Sequence, residues 1–357
     1  MSIKNLLTDY HLSWLDDTGN ERDIVLSSRV RLARNFQQIP FPNRADFSQL
    51  EEVRRMAETM QTGLEQTAGE PFDHVAVEHL TDLEKRVLVE KHLITENLVR
   101  SPQGRSAFVS LDRRSSILVN EEDHLRIQCM VPGLDLQTPY AMASALDDVI
   151  ESRLDIAFDE SMGYLTSCPT NLGTGLRASV LLHLPGLVFT RNIAGIINIS
   201  PQLGLAVRSL YGEGSEGTGN VFQIANQLTL GFTEEELIGN LTSAVGEIIA
   251  HERRARKALQ LYTKERLEDE VWRAFGLLKY ARFLSDTEVL SLASKVRLGI
   301  DMGLIDEAAP GCFNALLAAN GTGYLQNLAA NENLSKNEVD RKRAEMVRKI
   351  LSEKSQE

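Results

Sequence analysis

The period of the apolar residues changes once along this chain, near residue 233, and that change limits the possible folds more than any other feature. From Asp23 to about Phe232, apolar residues alternate with polar ones or form short runs between turn-forming residues, a pattern of strands and loops. From Thr233 onward they recur at helical spacing behind capping pairs: Thr233 with Glu236, Ser285 with Glu288, and Ser335 with Glu338. Leu237, Leu241, Ala244, Val245 and Ile248 then share one helical face, so this helix should close a strand-rich first domain, residues 1–260. Residues 261–357 read as an all-helical module. The basic run His251 to Lys257 falls in the last turns of the closing helix, where cations suit the helix dipole, and reads as a solvated helix end.

At 357 residues the chain has room for two domains with their own cores. Its net charge of −12 disfavours nonspecific attraction to nucleic acid or an anionic membrane, so any basic site has to be local. The first seventeen residues mix Lys4, Asp9, His11 and Asp16 with apolar ones and lack the run of a secretory signal; no later stretch approaches a membrane span. Cys129, Cys168 and Cys312 are odd in number and far apart, without metal-ligand spacing, which argues against disulfides or zinc and fits a reducing cytoplasm.

Local basic sites do occur. In Ser27-Ser28-Arg29-Val30-Arg31-Leu32, alternation puts Arg29 and Arg31 on one strand face and Val30 and Leu32 on the other. In Asn120-Glu121-Glu122-Asp123-His124-Leu125-Arg126-Ile127, Arg126 lies opposite Leu125 and Ile127, and a continuous strand would set Glu122 and His124 on its face. Arg177 precedes a third strand-like run, and Arg208 enters a glycine-rich loop through Gly219. The loop Cys168-Pro169-Thr170-Asn171-Leu172-Gly173-Thr174-Gly175-Leu176-Arg177 sets a thiol, two glycines and a guanidinium close together. Each element alone has a plain explanation as a surface strand, solvated turn or connection. Together they assemble several permanently charged fork-shaped donors suited to a polyphosphate, beside glycines that let backbone N–H groups approach it. No P-loop ending and no pair of His-Arg-Asp and Asp-Phe-Gly motifs is present.

These stretches, in this order over about residues 20 to 258, resemble the catalytic domain of the phosphagen (guanidino) kinases. The resemblance implies an α+β fold, an antiparallel sheet flanked by helices of the glutamine-synthetase-like type, with the all-helical domain after it. It implies MgATP-dependent phosphoryl transfer to a guanidinium nitrogen, with Mg²⁺ resting on ATP oxygens and water and no protein metal ligands. Arg29, Arg31, Arg126, Arg177 and Arg208 correspond to the phosphate clamp, and His92 to an adenine-contacting histidine. The wider nucleotide site would take in Ser27, Ser28, Val30, Ala178, Ser179, Val180, Leu181, Ser209, Leu210, Tyr211 and Gly212. Glu122 and Glu213 match two carboxylates that grip the guanidinium, either of which could be the base, and Cys168 matches a thiol beside it.

Kinases of free creatine or arginine are similar here but carry a helical domain before the catalytic one, where this chain has barely twenty residues. The helical module at the other end resembles that of bacterial protein-arginine kinases. That implies protein substrates with exposed arginines, a homodimer, and as partners an activating adaptor and a Clp-type protease. A free-arginine-type phosphagen kinase and a catalytically silent phosphoarginine-binding adaptor are the alternatives. The family's Arg-Asp-x-x-Arg-Ala phosphoarginine motif corresponds to Val339-Asp340-Arg341-Lys342-Arg343-Ala344, which has Val339 in place of the first arginine. The same helix also reads as an amphipathic face with Met346, Val347, Ile350 and Leu351 inward.

Overall fold

A computed structural model describes residues 3–210 and 217–353. Its centre is an eight-stranded sheet built from β1 (Val25–Arg34), β2 (Phe72–Ala76), β3 (Ser106–Ser110), β4 (Ser115–Val119), β5 (Leu125–Pro132), β8 (Leu176–His183), β9 (Leu205–Ser209) and β10 (Val221–Asn226). A separate two-stranded hairpin supplies β6 (Phe158–Asp159) and β7 (Gly163–Tyr164). The strand order is β2-β3-β4-β5-β1-β8-β10-β9, and every neighbouring pair is antiparallel. The strand richest in arginine therefore lies centrally, between β5 and β8.

Alternation along these strands divides the side chains between two faces. Val30 and Leu32 pack with Ile127, Cys129, Ala178 and Val180 beneath the helices Gln137–Glu151 and Glu234–Tyr262, which contribute Leu146, Ile150, Leu241 and Val245. Arg29 and Arg31 point the other way. Near that second face Met130, Leu181 and Val221 join a core that also holds Trp14, Val87, Phe275, Val289, Phe313, Tyr324 and Val347. The amino-terminal segment and the carboxy-terminal helices thus pack with the sheet in one apolar body. Asn314 Nδ2 donates to the Leu15 carbonyl at 2.8 Å, and Tyr324 Oη donates to the Thr8 carbonyl at 3.1 Å.

The closing helix runs Glu234–Tyr262, and the next begins at Lys264, so residue 260 falls inside its last turn. Thr233, Ser285 and Ser335 each accept from the backbone of the glutamate three positions on, and each glutamate reaches back to its cap, as the sequence pattern requires. The basic run 251–257 is not simply a solvated end. Glu252 is fully buried and accepts from the Gly186 and Leu187 amides at 2.9 Å each and from Arg256 Nε at 2.7 Å. Arg256 in turn reaches Asp301 at 3.3 Å. A buried carboxylate needs such partners; Arg256 is one helical turn on, but Gly186 and Leu187 lie far away in sequence, where periodicity cannot see them.

In the last helix, Lys336–Ser352, Val339, Val347 and Ile350 are buried, with Met346 and Leu351 packed beside them. Arg343 is 2% exposed and donates to the Asn320 and Leu284 carbonyls, to Thr322 Oγ1 and to Asp340 Oδ1, at 3.1, 3.0, 3.2 and 2.5 Å. Its guanidinium is engaged by this chain's own turns.

Candidate active site

The register of the central strands brings four of the five arginines of the sequence pattern together. Arg31 lies opposite Arg177 on β8 and Gln128 on β5; Ala33 lies opposite Arg126; Arg29 lies opposite Ser179, whose Oγ accepts from Arg29 Nε at 3.3 Å. Arg208, on the edge strand β9, is close enough to Arg177 to lower its pKa. Partial desolvation, with Arg126 and Arg177 alongside, pulls Arg29 down to about 9, and Arg31 lies well below its ordinary value for the same reasons. Arg31 Nε and Arg177 Nε are buried without a hydrogen-bond partner among the described residues. Guanidinium groups do not give up their proton in proteins, so such an array demands an anion.

Two cavities share this face. One is lined by Arg31, Arg126, Arg177, Glu121, Glu122, Asn171 and Gly175, among others. The other is lined by Ser27, Arg29, His92, Ser179, Leu181, Leu210, Met130, Gln223 and Trp14. Ser27, Arg29 and Arg31 follow one another on the same face of β1. At ~3.4 Å per residue, Ser27 and Arg31 stand roughly 13 Å apart, the scale of a nucleotide from base to terminal phosphate.

Glu122 sits at the mouth of the first cavity, and the turn that carries it differs from the sequence expectation. β5 starts only at Leu125; residues 120–124 form a tight turn, with Asn120 at φ 60° and its amide donating to the Leu50 and Gly104 carbonyls at 2.8 and 2.7 Å. His124 consequently leaves the face of Arg126. It is fully buried, accepts the Phe36 N–H on Nδ1 at 3.0 Å, and burial pushes its pKa down to about 4. Glu121 accepts from Thr95 Oγ1 and Arg126 Nη1 at 2.8 and 3.2 Å, and from the Glu122 amide at 3.0 Å. Asp123 Oδ1 accepts from Asn35 Nδ2 at 2.7 Å and from the Ser167 amide at 2.6 Å, joining this turn to the cysteine loop. Partial desolvation raises the Glu122 pKa; Asp123 and Glu121 raise it further, against Arg126 and Arg177.

Cys168 is half-buried and unbridged, its Sγ 3.0 Å from Thr170 Oγ1. Both glycines of its loop are required by close chain packing, and Gly175 also lines the arginine cavity. Gly173 has φ 106°, and a Cβ there would stand 2.9 Å from Leu230 Cα; Gly175 has φ 65°, and a Cβ there would stand 2.7 Å from the Ala33 carbonyl. Arg34 donates to the Thr174 carbonyl at 3.1 Å, stacks 3.4 Å from the Tyr164 ring centre and pairs with buried Asp147 at 2.5 Å, fixing the loop from below.

The side chains of Ser28, Val30, Ala178 and Val180, which the resemblance includes in the nucleotide site, face the opposite core. Strand alternation requires this, and Ser28 Oγ donates to the Gly133 carbonyl at 2.8 Å. Ser27, Ser179, Leu181 and Leu210 do line the second cavity. Ser209 lies beside them on β9, while Tyr211, Gly212 and Glu213 lie outside the described residues. His92 follows the helix Asp82–Glu90 at φ 57°; burial and nearby Arg29 push its pKa down to about 4, leaving a neutral ring. Trp14 was missed by sequence reasoning. It is 3% exposed, meets His92 edge-on at 5.9 Å, and its indole N–H finds no partner among the described residues. Only the fold brings that distant segment to the cavity.

Among the described residues no cluster of three His, Cys, Asp or Glu could hold a metal ion, and no helix is long and apolar enough to cross a membrane. A family model described as ATP:guanido phosphotransferase, C-terminal catalytic domain, matches residues 52–255, and one described as protein-arginine kinase McsB C-terminal domain matches residues 264–357. The chain is 43% identical to the protein-arginine kinase of Desulforamulus reducens, over 100% of both chains. It is 45% identical to that of Bacillus subtilis (strain 168), over 98% of this chain and 96% of the other. The duplicated taurocyamine kinase from Schistosoma mansoni, solved with bound transition state analog components, superimposes with a TM-score of 0.59 at 25% identity, covering 74% of this chain and 39% of that one.

Proposed function

The chain belongs to the protein-arginine kinases and catalyses ATP-dependent phosphorylation of arginine side chains in proteins; on that premise we infer that the two cavities along this sheet face are where the transfer occurs. The observation that carries this reading is the order along one sheet face. A pocket with neutral His92 comes first, then arginines whose Nε atoms lack partners among the described residues, then Glu122; Cys168 lines neither cavity but lies near enough to Arg177 to interact with its charge.

In this reading the base of ATP lies between His92, Trp14 and Leu210. Its phosphates lie on Arg29, Arg31, Arg126, Arg177 and Arg208. These cations offset the charge spread over the transferred phosphoryl oxygens, and they are in place before the reaction starts. Mg²⁺ would remain on the phosphate oxygens, adding charge neutralisation there.

The acceptor guanidinium is cationic and poorly nucleophilic until it loses a proton. Glu122 orients it and takes that proton as the N–P bond forms and the bond from the γ-phosphorus to the bridging oxygen breaks, releasing ADP. The raised pKa of Glu122 favours it as the base over a merely orienting role. Glu213 would grip the second edge of the fork. Cys168 acts as an electrostatic aid without forming a covalent bond. The turn bonds of Glu121 and Asp123 hold these groups in position.

We further propose a cytoplasmic setting, supported by three unbridged cysteines, and a homodimer with an activating adaptor and a Clp-type protease as partners, on family likeness alone. The enzyme incubated with MgATP, an unfolded arginine-rich protein and an excess of free arginine is expected to place acid-labile phosphate on the protein. Mass spectrometry and phosphorus NMR would detect it as phosphoarginine; label on free arginine alone would overturn the reading.

A further inference from the structure

Large apolar side chains stand in solvent on three segments that flank the Cys168 loop. On the hairpin β6–β7, Phe158 and Met162 are 54% and 50% exposed; after β10, Leu228 and Leu230 are 56% and 54% exposed; before β9, Ile199 and Leu203 are 55% and 65% exposed. The segments are tied to the loop and to one another. The Tyr164 amide donates to the Gly173 carbonyl at 2.7 Å, Thr229 Oγ1 donates to the Thr170 and Leu172 carbonyls at 3.0 and 2.6 Å, and the Gln227 amide donates to the Gly204 carbonyl at 2.8 Å. The exposed apolar side chains thus form a strip carried by two segments bonded to the loop that bears Cys168 and a third bonded to one of those two. Exposed apolar surface gathered in one place is characteristic of an interaction site.

We propose that this strip docks the stretch of substrate polypeptide on either side of the acceptor arginine, and that it favours extended segments with apolar residues near that arginine. The proposal rests on the reading of the cavity as the transfer site. An acceptor that is a side chain brings its own backbone, which has to run across the rim of the cavity. Asn171 lines that cavity, and Thr229 is bonded to the carbonyls on either side of Asn171. The strip also has the charge for such an occupant: Asp159 and Glu160 on the hairpin and Glu235 at the start of the closing helix are exposed, complementing an arginine-bearing segment. A folded domain keeps its apolar residues inside and could not fill the strip; an unfolded segment can.

The test compares two acceptors, a reduced and alkylated unfolded protein and the tetrapeptide Gly-Arg-Gly-Gly, with the wild type and the double variant Leu228→Ser, Leu230→Ser. Both leucines are more than half exposed, so the fold should tolerate the change. The expected result is a KM for the unfolded protein raised roughly five- to tenfold, as for two half-buried leucines, with kcat and the tetrapeptide rate unchanged. Phe158→Ser should act in the same direction from the other side of the loop. An unchanged KM for the protein would overturn the proposal. So would equal losses on both acceptors, which would mean that the segment supports the catalytic loop. A wild-type dimer that becomes monomeric in the variant with KM unchanged would instead assign the strip to self-association. Should the wild type phosphorylate neither acceptor while consuming ATP on free arginine, the reading of the transfer site itself would be at fault.

Discussion

Glu122→Gln is expected to lower kcat by about 10²–10⁴ while leaving the affinity for ADP nearly intact. The amide keeps the size of the side chain and one acceptor oxygen, so the guanidinium still has an edge to meet, but it cannot take the proton that must leave as the N–P bond forms. Nucleotide affinity survives because Glu122 stands at the acceptor end of the cavity, beyond Arg31 and Arg177. The pH dependence follows from the same group. Partial desolvation, Asp123 and Glu121 hold its pKa above the ordinary carboxylate value, and only its ionised form works as a base. The wild-type rate should therefore fall as pH drops through that raised pKa, and the variant should lose this acidic limb. A pH–rate profile with calorimetric ADP binding checks both; comparable loss of rate and binding would place Glu122 on the donor side. A wild-type rate in the variant would shift the base to Glu213.

The second large effect concerns the phosphate clamp. Arg31→Ala should cost about 10³ in kcat, the scale of losing one preorganised cation from a phosphoryl-transfer site, and should weaken nucleotide binding as well. Lysine should rescue little, because Nε of Arg31 is a buried donor that an ammonium does not reproduce. The unliganded protein should respond in the opposite sense. Arg29, Arg126 and Arg177 all surround Arg31, and the low pKa values of Arg29 and Arg31 express desolvation and mutual repulsion among like charges. Removing one guanidinium relieves that repulsion, so the Tm of the free variant should equal or exceed the wild-type value. Added MgADP should then raise the wild-type Tm more than that of the variant. A variant destabilised without ligand, yet still active, would show that Arg31 is a structural residue.

The contrast between these residues and others explains how far the sequence could be read. Alternation within a strand is local, so the common face of Arg29 and Arg31 and the polar face of Arg126 are legible in the sequence, whereas bringing them beside Arg177 takes the register between strands. Thr233, Ser285 and Ser335 announced their helices because a capping box is complete within four residues. The stretch 120–124 could be read locally either as a solvated turn or as a continuation of the strand, and local pattern alone does not decide between them. Asn120 takes its left-handed backbone because Leu50 and Gly104, distant in sequence, accept its amide hydrogens. Glu252 looked like part of a solvated basic run for a similar reason: its partners are the Gly186 and Leu187 amides of another element. Trp14 carried no signal at all, since a lone tryptophan near the amino terminus reaches His92 only because the turn Ser13–Leu15 packs on β1 and β5, distant in sequence. Gly173 and Gly175 had a further reason that the sequence hid: Leu230 and Ala33, distant in sequence, approach them too closely for a side chain.

The same geometry makes a claim about the reaction path. Pocket, arginines and Glu122 follow one another along a single face, so on the proposed assignment donor and acceptor meet in one site with no need for a phosphorylated enzyme. The stereochemical course at phosphorus tests this most directly. With ATP made chiral at its γ-phosphorus by sulfur and oxygen isotopes, and an unfolded protein as acceptor, one in-line transfer gives phosphoarginine of inverted configuration. Inversion is the result expected here. Retention would mean two successive displacements through an enzyme-bound phosphoryl group, with Cys168 as the nearest nucleophile, and would contradict direct transfer from ATP to the guanidinium nitrogen.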